Sequence, residues 1–162
     1  METEYLGNKE LLTVEKVAFL CSREVSSLSV LRCYDWTTEV SGTVEAVVSG
    51  FHSGIEKDIL TLLLMKRQPV ILVLARKMYR TLPDELQTAL DEGQLLIIST
   101  APGAVRVGRE AALARNSYIA WISDRVVFGY ISPHSDLLAL YQTHRYKSTL
   151  LTAPPEGALS SL

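Results

Sequence analysis

Three short segments concentrate the residue types that hold anions. Ser49-Gly50-Phe51-His52-Ser53-Gly54 lies between an apolar run and a helical pattern. Two glycines let a backbone turn tightly and approach a ligand closely. The helix that follows aims its unsatisfied N–H groups and the positive end of its dipole at the same place, which suits a phosphate. The residues alone leave two readings open: a phosphate cradle, or a tight strand-to-helix turn that binds nothing. The turn is neither a dinucleotide fingerprint nor a P-loop, because Gly-x-Gly-x-x-Gly and Gly-Lys-Ser/Thr are both missing. Cys21-Ser22-Arg23 closes an earlier apolar run, where a hydroxyl and a guanidinium either grip an anion or face solvent. Arg115-Asn116, set among alanines, offers directed hydrogen bonds to a phosphate, base or ribose, or is a plain surface pair.

Nucleophilic and metal chemistry find little footing. His52 stands beside Ser49 and Ser53, but there is no Gly-x-Ser-x-Gly elbow and no acid placed to orient the imidazole. His52 therefore reads as a loop histidine. Cys21 does not open a Cys-x5-Arg phosphatase loop, since the sixth residue beyond it is Ser27, and it reads as a small buried hydrophobe. Asp91-Glu92 and Glu56 with Asp58 read as helix-surface and capping carboxylates. Two Cys and three scattered His (His52, His134, His144) lack zinc spacing. Nothing requires an enzyme, a cofactor or a metal.

The chain has 162 residues, of which 48% are hydrophobic and 21% charged, enough for one domain with a sizeable core. A net charge of −2 argues against wholesale, sequence-independent nucleic-acid binding. The distribution is more telling: Lys66, Arg67, Arg76, Lys77 and Arg80 form a run without an acid, and Arg106, Arg109 and Arg115 follow. That run is either a basic face or ordinary solvated surface. Met1 is followed by acids, not by a basic segment and an apolar stretch, and no apolar run is long enough to cross a bilayer. Reduced thiols and a cytosolic setting are the expectation.

Five nearly continuous apolar runs are predicted as strands covered on both faces: 16–21, 45–48, 70–75, 95–98 and 125–128. Helical spacing is predicted between them over 27–41, 53–66, 83–92, 108–120 and 135–143. Leu28, Leu31 and Val40 are the candidate core positions of the first helix. Ile55, Ile59, Leu62, Leu63 and Lys66 fall at helical intervals in the second, which Ser53-x-x-Glu56 opens with a capping box. Pro83 and Gly93 bracket the third. Strands alternating with helices require crossover connections, hence a mostly parallel sheet with helices on both faces. Ligands then bind beyond the carboxyl ends of the strands, in the loops 22–27, 49–54, 76–81 and 99–108. Residues 1–15 read as an N-terminal extension, 16–152 as the domain and 153–162 as a flexible tail.

Taken in order, these pieces resemble the DNA-processing protein A (DprA/Smf) family, within the SLOG group of Rossmann-like domains. Val17-Ala-Phe-Leu-Cys-Ser-Arg23 is similar to that family's opening strand running into Gly-Ser-Arg. Val47-Val-Ser-Gly-Phe-His-Ser-Gly-Ile-Glu56 is similar to Val-Ser-Gly-x-Ala-Arg-Gly-Ile-Asp. Val70 to Ala75 matches the strand leading into Leu-Gly-x-Gly, and Arg115-Asn-Ser-Tyr-Ile-Ala-Trp-Ile-Ser-Asp124 matches Arg-Asn-Arg-x-Ile-Ala-x-Leu-Ser-Asp. Departures are Cys21 for the first glycine, Ser53 for the second motif's arginine, Ala75 and Lys77 for the third loop's glycines, and His134-Ser-Asp136 for a Ser-Gly-Ser.

The resemblance implies a Rossmann-like three-layer α/β sandwich and a non-enzymatic core that binds single-stranded nucleic acid. Its groove would be lined by Ser22, Arg23, Ser49, Gly50, Ser53, Gly54, Arg76, Lys77, Arg115 and Asn116; the family's base-stacking aromatics are not evident, and Phe51 and Tyr79 are the only well-placed candidates. A SLOG-type site for a nucleotide or phosphorylated small molecule, binding or hydrolysing it, is the alternative, as is a scaffold with a decayed site. Homodimerisation follows only by analogy with the family.

Overall fold

The structure, a computed structural model, describes residues 2–152. The tail predicted from Ala153 onward lies outside the described residues. The predicted strands are present as β2 (Lys16–Leu20), β3 (Ala46–Ser49), β4 (Val70–Leu74), β5 (Leu95–Ser99) and β6 (Arg125–Phe128). Every residue of β3, β4 and β5 is buried, as continuous apolar runs require when both faces are covered. Two further strands close the edges, β1 (Glu4–Gly7) and β7 (Ser148–Leu150). The order is β1-β5-β4-β3-β2-β6-β7, all parallel except β1, which runs antiparallel to β5 from Glu4↔Ser99 to Gly7↔Leu96. Residues expected to precede the domain thus supply one of its edge strands.

Five helices follow as α1 (Ser27–Val40), α2 (Gly54–Met65), α3 (Asp84–Asp91), α4 (Arg109–Ile122) and α5 (Leu137–Thr143). Strand alternation sorts the core into two halves. Val17, Phe19, Val47, Leu72 and Ile97 face α1, α2 and α3, and Phe19 stacks on Trp36 at 5.1 Å. Ala18, Leu20, Val48, Ile71 and Ile98 face α4 and α5. From β2 to β5 the chain steps across the sheet in one direction, and from β5 it leaps back to β6 on the far side of β2. Right-handed crossovers therefore change face at that leap. β2 and β6 flank the reversal, where a crevice opens beyond the strand ends.

Some side chains differ from expectation. Leu28 and Leu31 are 51% and 56% exposed, while Ser29, Cys33, Trp36, Thr37 and Val40 turn inward. Cys33, Trp36 and Val40 set the phase of the helix, and two small polar residues can share the buried face because they bond locally: Ser29 with Ser26 Oγ, and Thr37 Oγ1 to the Cys33 carbonyl. On α2, Ile55, Ile59 and Leu63 are buried, Leu62 only partly, and Lys66 is the exposed C-cap. The basic run is divided by β4: Lys66 and Arg67 precede the strand, whereas Arg76, Lys77 and Arg80 follow it. A five-residue strand spans about 16 Å, so these charges do not form one face. Among the described residues no helix is long and apolar enough to cross a membrane.

At the end of the sheet away from the crevice, buried Gln68 ties two connections together. Its amide nitrogen donates to the carbonyls of Thr43 and Glu45 at 3.1 and 2.7 Å, and its Oε1 accepts from the Gly42 N–H at 2.8 Å. Gln68→Leu keeps the volume but strands these groups. A loss of about 1–3 kcal/mol is expected in urea unfolding, with no change in the ligand affinity of the folded protein.

Candidate functional site

The crevice at the reversal is a cleft of about 630 Å³. Its walls come from the loop after β2 (Cys21–Glu24), the start of α2, the first turns of α4 and the loop after β6 (Ser132–Asp136). A second hollow of about 310 Å³ adjoins it beyond β3 and β4, lined by Gly50, Phe51, Arg76 and Tyr79. His52, Val107 and Arg115 border both.

The turn leading into α2 is held by Glu56. Its Oε1 accepts from the N–H groups of His52 and Ser53 at 2.9 and 3.1 Å, and its Oε2 accepts from the Cys21 N–H at 3.0 Å. Ser53 Oγ accepts from the Glu56 N–H in return, completing the predicted capping box. Ser49 Oγ accepts from the Phe51 N–H. The turn's amides at 51, 52 and 53 thus already have protein acceptors, and a carboxylate of this chain takes the place an external phosphate would need. Glu56 is buried, not a surface carboxylate. Phe51 adopts φ +46°, a strained conformation for a bulky side chain, and is itself buried. A base therefore finds little of its ring to stack on.

Ser22 is likewise engaged. Its Oγ accepts from the Ser132 N–H at 3.0 Å and donates to Ser135 Oγ at 3.1 Å, fastening the loop after β6 to the end of β2. Arg23 beside it is exposed and in no ion pair among the described residues.

Arg115 is the unusual group. It is 6% exposed, projects from α4 across the backbone of Gly50, and its Nε donates to Asn116 Oδ1 at 3.2 Å. A Cβ on residue 50 would come within 2.7 Å of Nε and 2.9 Å of Cζ, so glycine there is what admits the guanidinium. No carboxylate lies within ion-pair distance of it among the described residues. Burial lowers its pKa, an effect that the charge of Glu56 only partly offsets. Burial also holds His52 below its ordinary 6.5, helped by the charges of Arg115, Arg23 and Lys57.

Of the residues predicted for the groove, Ser22, Arg23, Ser53, Arg115 and Asn116 line the larger hollow, and Gly50, Arg76 and again Arg115 the smaller. Ser49, Gly54 and Lys77 line neither: Ser49 is fully buried, Gly54 faces open space, and Lys77 is half-buried with its backbone N–H on the Ala104 carbonyl. Tyr79 is half-buried beneath Arg76, whose Cζ lies 4.7 Å from the ring centroid. The sequence marked Glu56 only as a capping carboxylate and did not reveal the Arg109–Asp136 pair at the cleft mouth (3.0 Å). A capping box announces Glu56 as a helix start, but only the fold shows that Cys21 comes to it.

Glu56→Gln tests the carboxylate. An amide cannot accept on both sides, so one N–H of Cys21, His52 or Ser53 meets another donor. Thermal unfolding is expected to show a loss of about 1–3 kcal/mol.

The chain matches the family model described as DNA recombination-mediator protein A over residues 4–135. No curated protein matches it. Among solved structures it is similar to DNA processing protein A from Helicobacter pylori, described for its single-stranded DNA binding mode, at 20% identity and a TM-score of 0.74, over 95% of this chain and 73% of that one. It is also similar to DNA processing protein A (DprA) from Streptococcus pneumoniae, at 21% identity and a TM-score of 0.76. That match takes in 98% of this chain but only 57% of the other. At such identities the structures speak for the fold, the predicted Rossmann-like α/β sandwich, and the family model speaks for descent. The chain belongs to the DNA recombination-mediator protein A family.

Proposed function

We propose that the chain binds single-stranded DNA along the carboxyl edge of its sheet, with the phosphate backbone crossing Arg115 between the two hollows. One observation carries this reading: a buried guanidinium without a carboxylate partner sits where the hollows meet. An unpaired buried charge is costly, and a phosphate oxyanion supplies the missing partner. Asn116 orients it through Nε. Arg23 in the larger hollow and Arg76 in the smaller stand on either side to meet neighbouring phosphates. The N-terminus of α4, where Gly108 provides no side-chain cap, opens into the larger hollow with unsatisfied amides. The relative described for its single-stranded DNA binding shares this fold. Family membership extends the reading to recombination mediation in the cytoplasm, where Cys21 and Cys33 rest as free thiols.

The size of the larger hollow favours a second reading, a mononucleotide site. The two separate experimentally, because a mononucleotide that fills the hollow raises the unfolding temperature alone, without an oligonucleotide.

A labelled oligonucleotide titrated at two salt concentrations tests the first reading. Single strands give a log–log salt slope of about −0.7 per phosphate neutralised, so three arginines predict roughly −2. Arg115→Met is expected to cost about tenfold or more in affinity, the worth of a hydrogen-bonded charge. Gly50→Ala alters no charge but drives a methyl against the guanidinium, and is expected to weaken binding in the same direction. No binding at low salt overturns the proposal.

The pH dependence follows from His52. Its folded pKa is depressed, so it is neutral at pH 7 and gains its proton only below 6.5, adding a cation to the rim. Oligonucleotide affinity is expected to rise as pH falls through that range. Stability is expected to fall, because the unfolded chain takes up the proton at higher pH. His52→Asn should flatten both trends, and an unchanged profile would rule His52 out.

A further inference from the structure

Two thiols meet beneath the cleft. Cys21 follows β2 directly and forms part of the cleft wall, while Cys33 lies on the buried face of α1. Both are free, and they are 4% and 0% exposed. Their sulfurs converge on one point: a Cβ on Gly129 would be 2.6 Å from Cys33 Sγ and 3.0 Å from Cys21 Sγ. A side chain at 129 would occupy the space in which they meet. Each is the main influence on the other's ionisation. The Cys21 thiol lowers the pKa of Cys33 by donating to its sulfur, and the same contact pushes Cys21 up. A proton held between two sulfurs leaves one of them nucleophilic.

We infer that Cys21 and Cys33 form a reversible intramolecular disulfide, a peroxide-responsive modification site in the floor of the cleft. Hydrogen peroxide is the oxidant, and it enters from the cleft past Cys21. As a thiolate, with its proton released to water, Cys33 attacks one peroxide oxygen. The S–O bond forms as the O–O bond breaks, and the departing hydroxide is protonated to water. Cys21 then attacks the sulfenic sulfur. The S–S bond forms, the S–O bond breaks, and hydroxide leaves as a second water carrying the Cys21 proton. Two electrons pass from the sulfur pair to the peroxide, and a dithiol reductant returns them.

The bond would act on the cleft through the backbone of Cys21, whose N–H donates to Glu56 Oε2. Drawing Cys21 toward α1 stretches that hydrogen bond and moves Ser22-Arg23 with it, which is expected to weaken oligonucleotide binding. This consequence rests on the DNA reading, whereas the disulfide does not.

The test uses the reduced full chain, treated with hydrogen peroxide, alkylated and analysed by intact mass and non-reducing peptide mapping. The expected result is a loss of two hydrogens, one linked pair of peptides containing residues 21 and 33, and reversal by dithiothreitol. Cys21→Ser and Cys33→Ser should each abolish the linked pair. The inference is overturned if both thiols remain alkylatable at a peroxide concentration that oxidises them in denaturant, or if linkage forms only between chains. The mass readout needs no bound DNA, so a chain that binds no oligonucleotide can still form the disulfide, and the two failures are distinguishable.

Discussion

A single buried carboxylate organises the edge of the sheet. Glu56 accepts from three backbone N–H groups, two in the turn that opens α2 and one at the end of β2. A buried carboxylate is tolerable only when its oxygens are met by donors, and backbone amides fixed by strands are donors that cannot rotate away. The same bonds hold the ends of β2 and β3 in register where the cleft begins. Remove the charge, and the turn loses both its cap and its attachment to the neighbouring strand.

That arrangement redirects the electrostatics. A glycine-rich turn before a helix ordinarily offers its amides to a ligand's phosphate. Here the chain supplies its own anion, so in the proposed reading an external one is met by side chains, above all Arg115. The guanidinium crosses the turn because Gly50 leaves room for it, and it depends on the turn's shape without bonding to its amides. Arg109 contributes less, since Asp136 lies 3.0 Å away and the pair is exposed. The edge is thus a mixed field with a few uncommitted cations, consistent with a chain whose net charge is −2.

The central strands were legible because parallel strands covered on both faces must be apolar throughout, and Val70–Leu74 can be little else. β1 and β7 were not, because edge strands have one side in solvent and need no such run: Glu-Tyr-Leu-Gly and Ser-Thr-Leu carry no pattern of their own. Leu28 and Leu31 are hydrophobic yet exposed, because the phase of α1 follows Cys33, Trp36 and Val40. Arg115 was legible as a candidate from its neighbours in the resemblance to known sequences. Its burial against Gly50 was not, since it joins residues on different elements. Ser49, Ser53 and Gly54 share a sequence motif, yet two of them serve the turn and the third faces solvent.

The reversal of strand order has a consequence in time. β2 pairs with β6, and the Lys16 N–H donates to the Asp124 carboxylate across 108 positions of sequence. Contacts so distant along the chain carry a large loop-closure cost before they return any stabilisation. During synthesis the first four parallel strands can assemble among themselves, since each pairs with its predecessor. The cleft's far wall, residues 132–136, emerges only afterwards. One half of the site therefore waits for the other, and a ribosome-bound intermediate would display the Glu56 turn complete and Ser22 still unfastened.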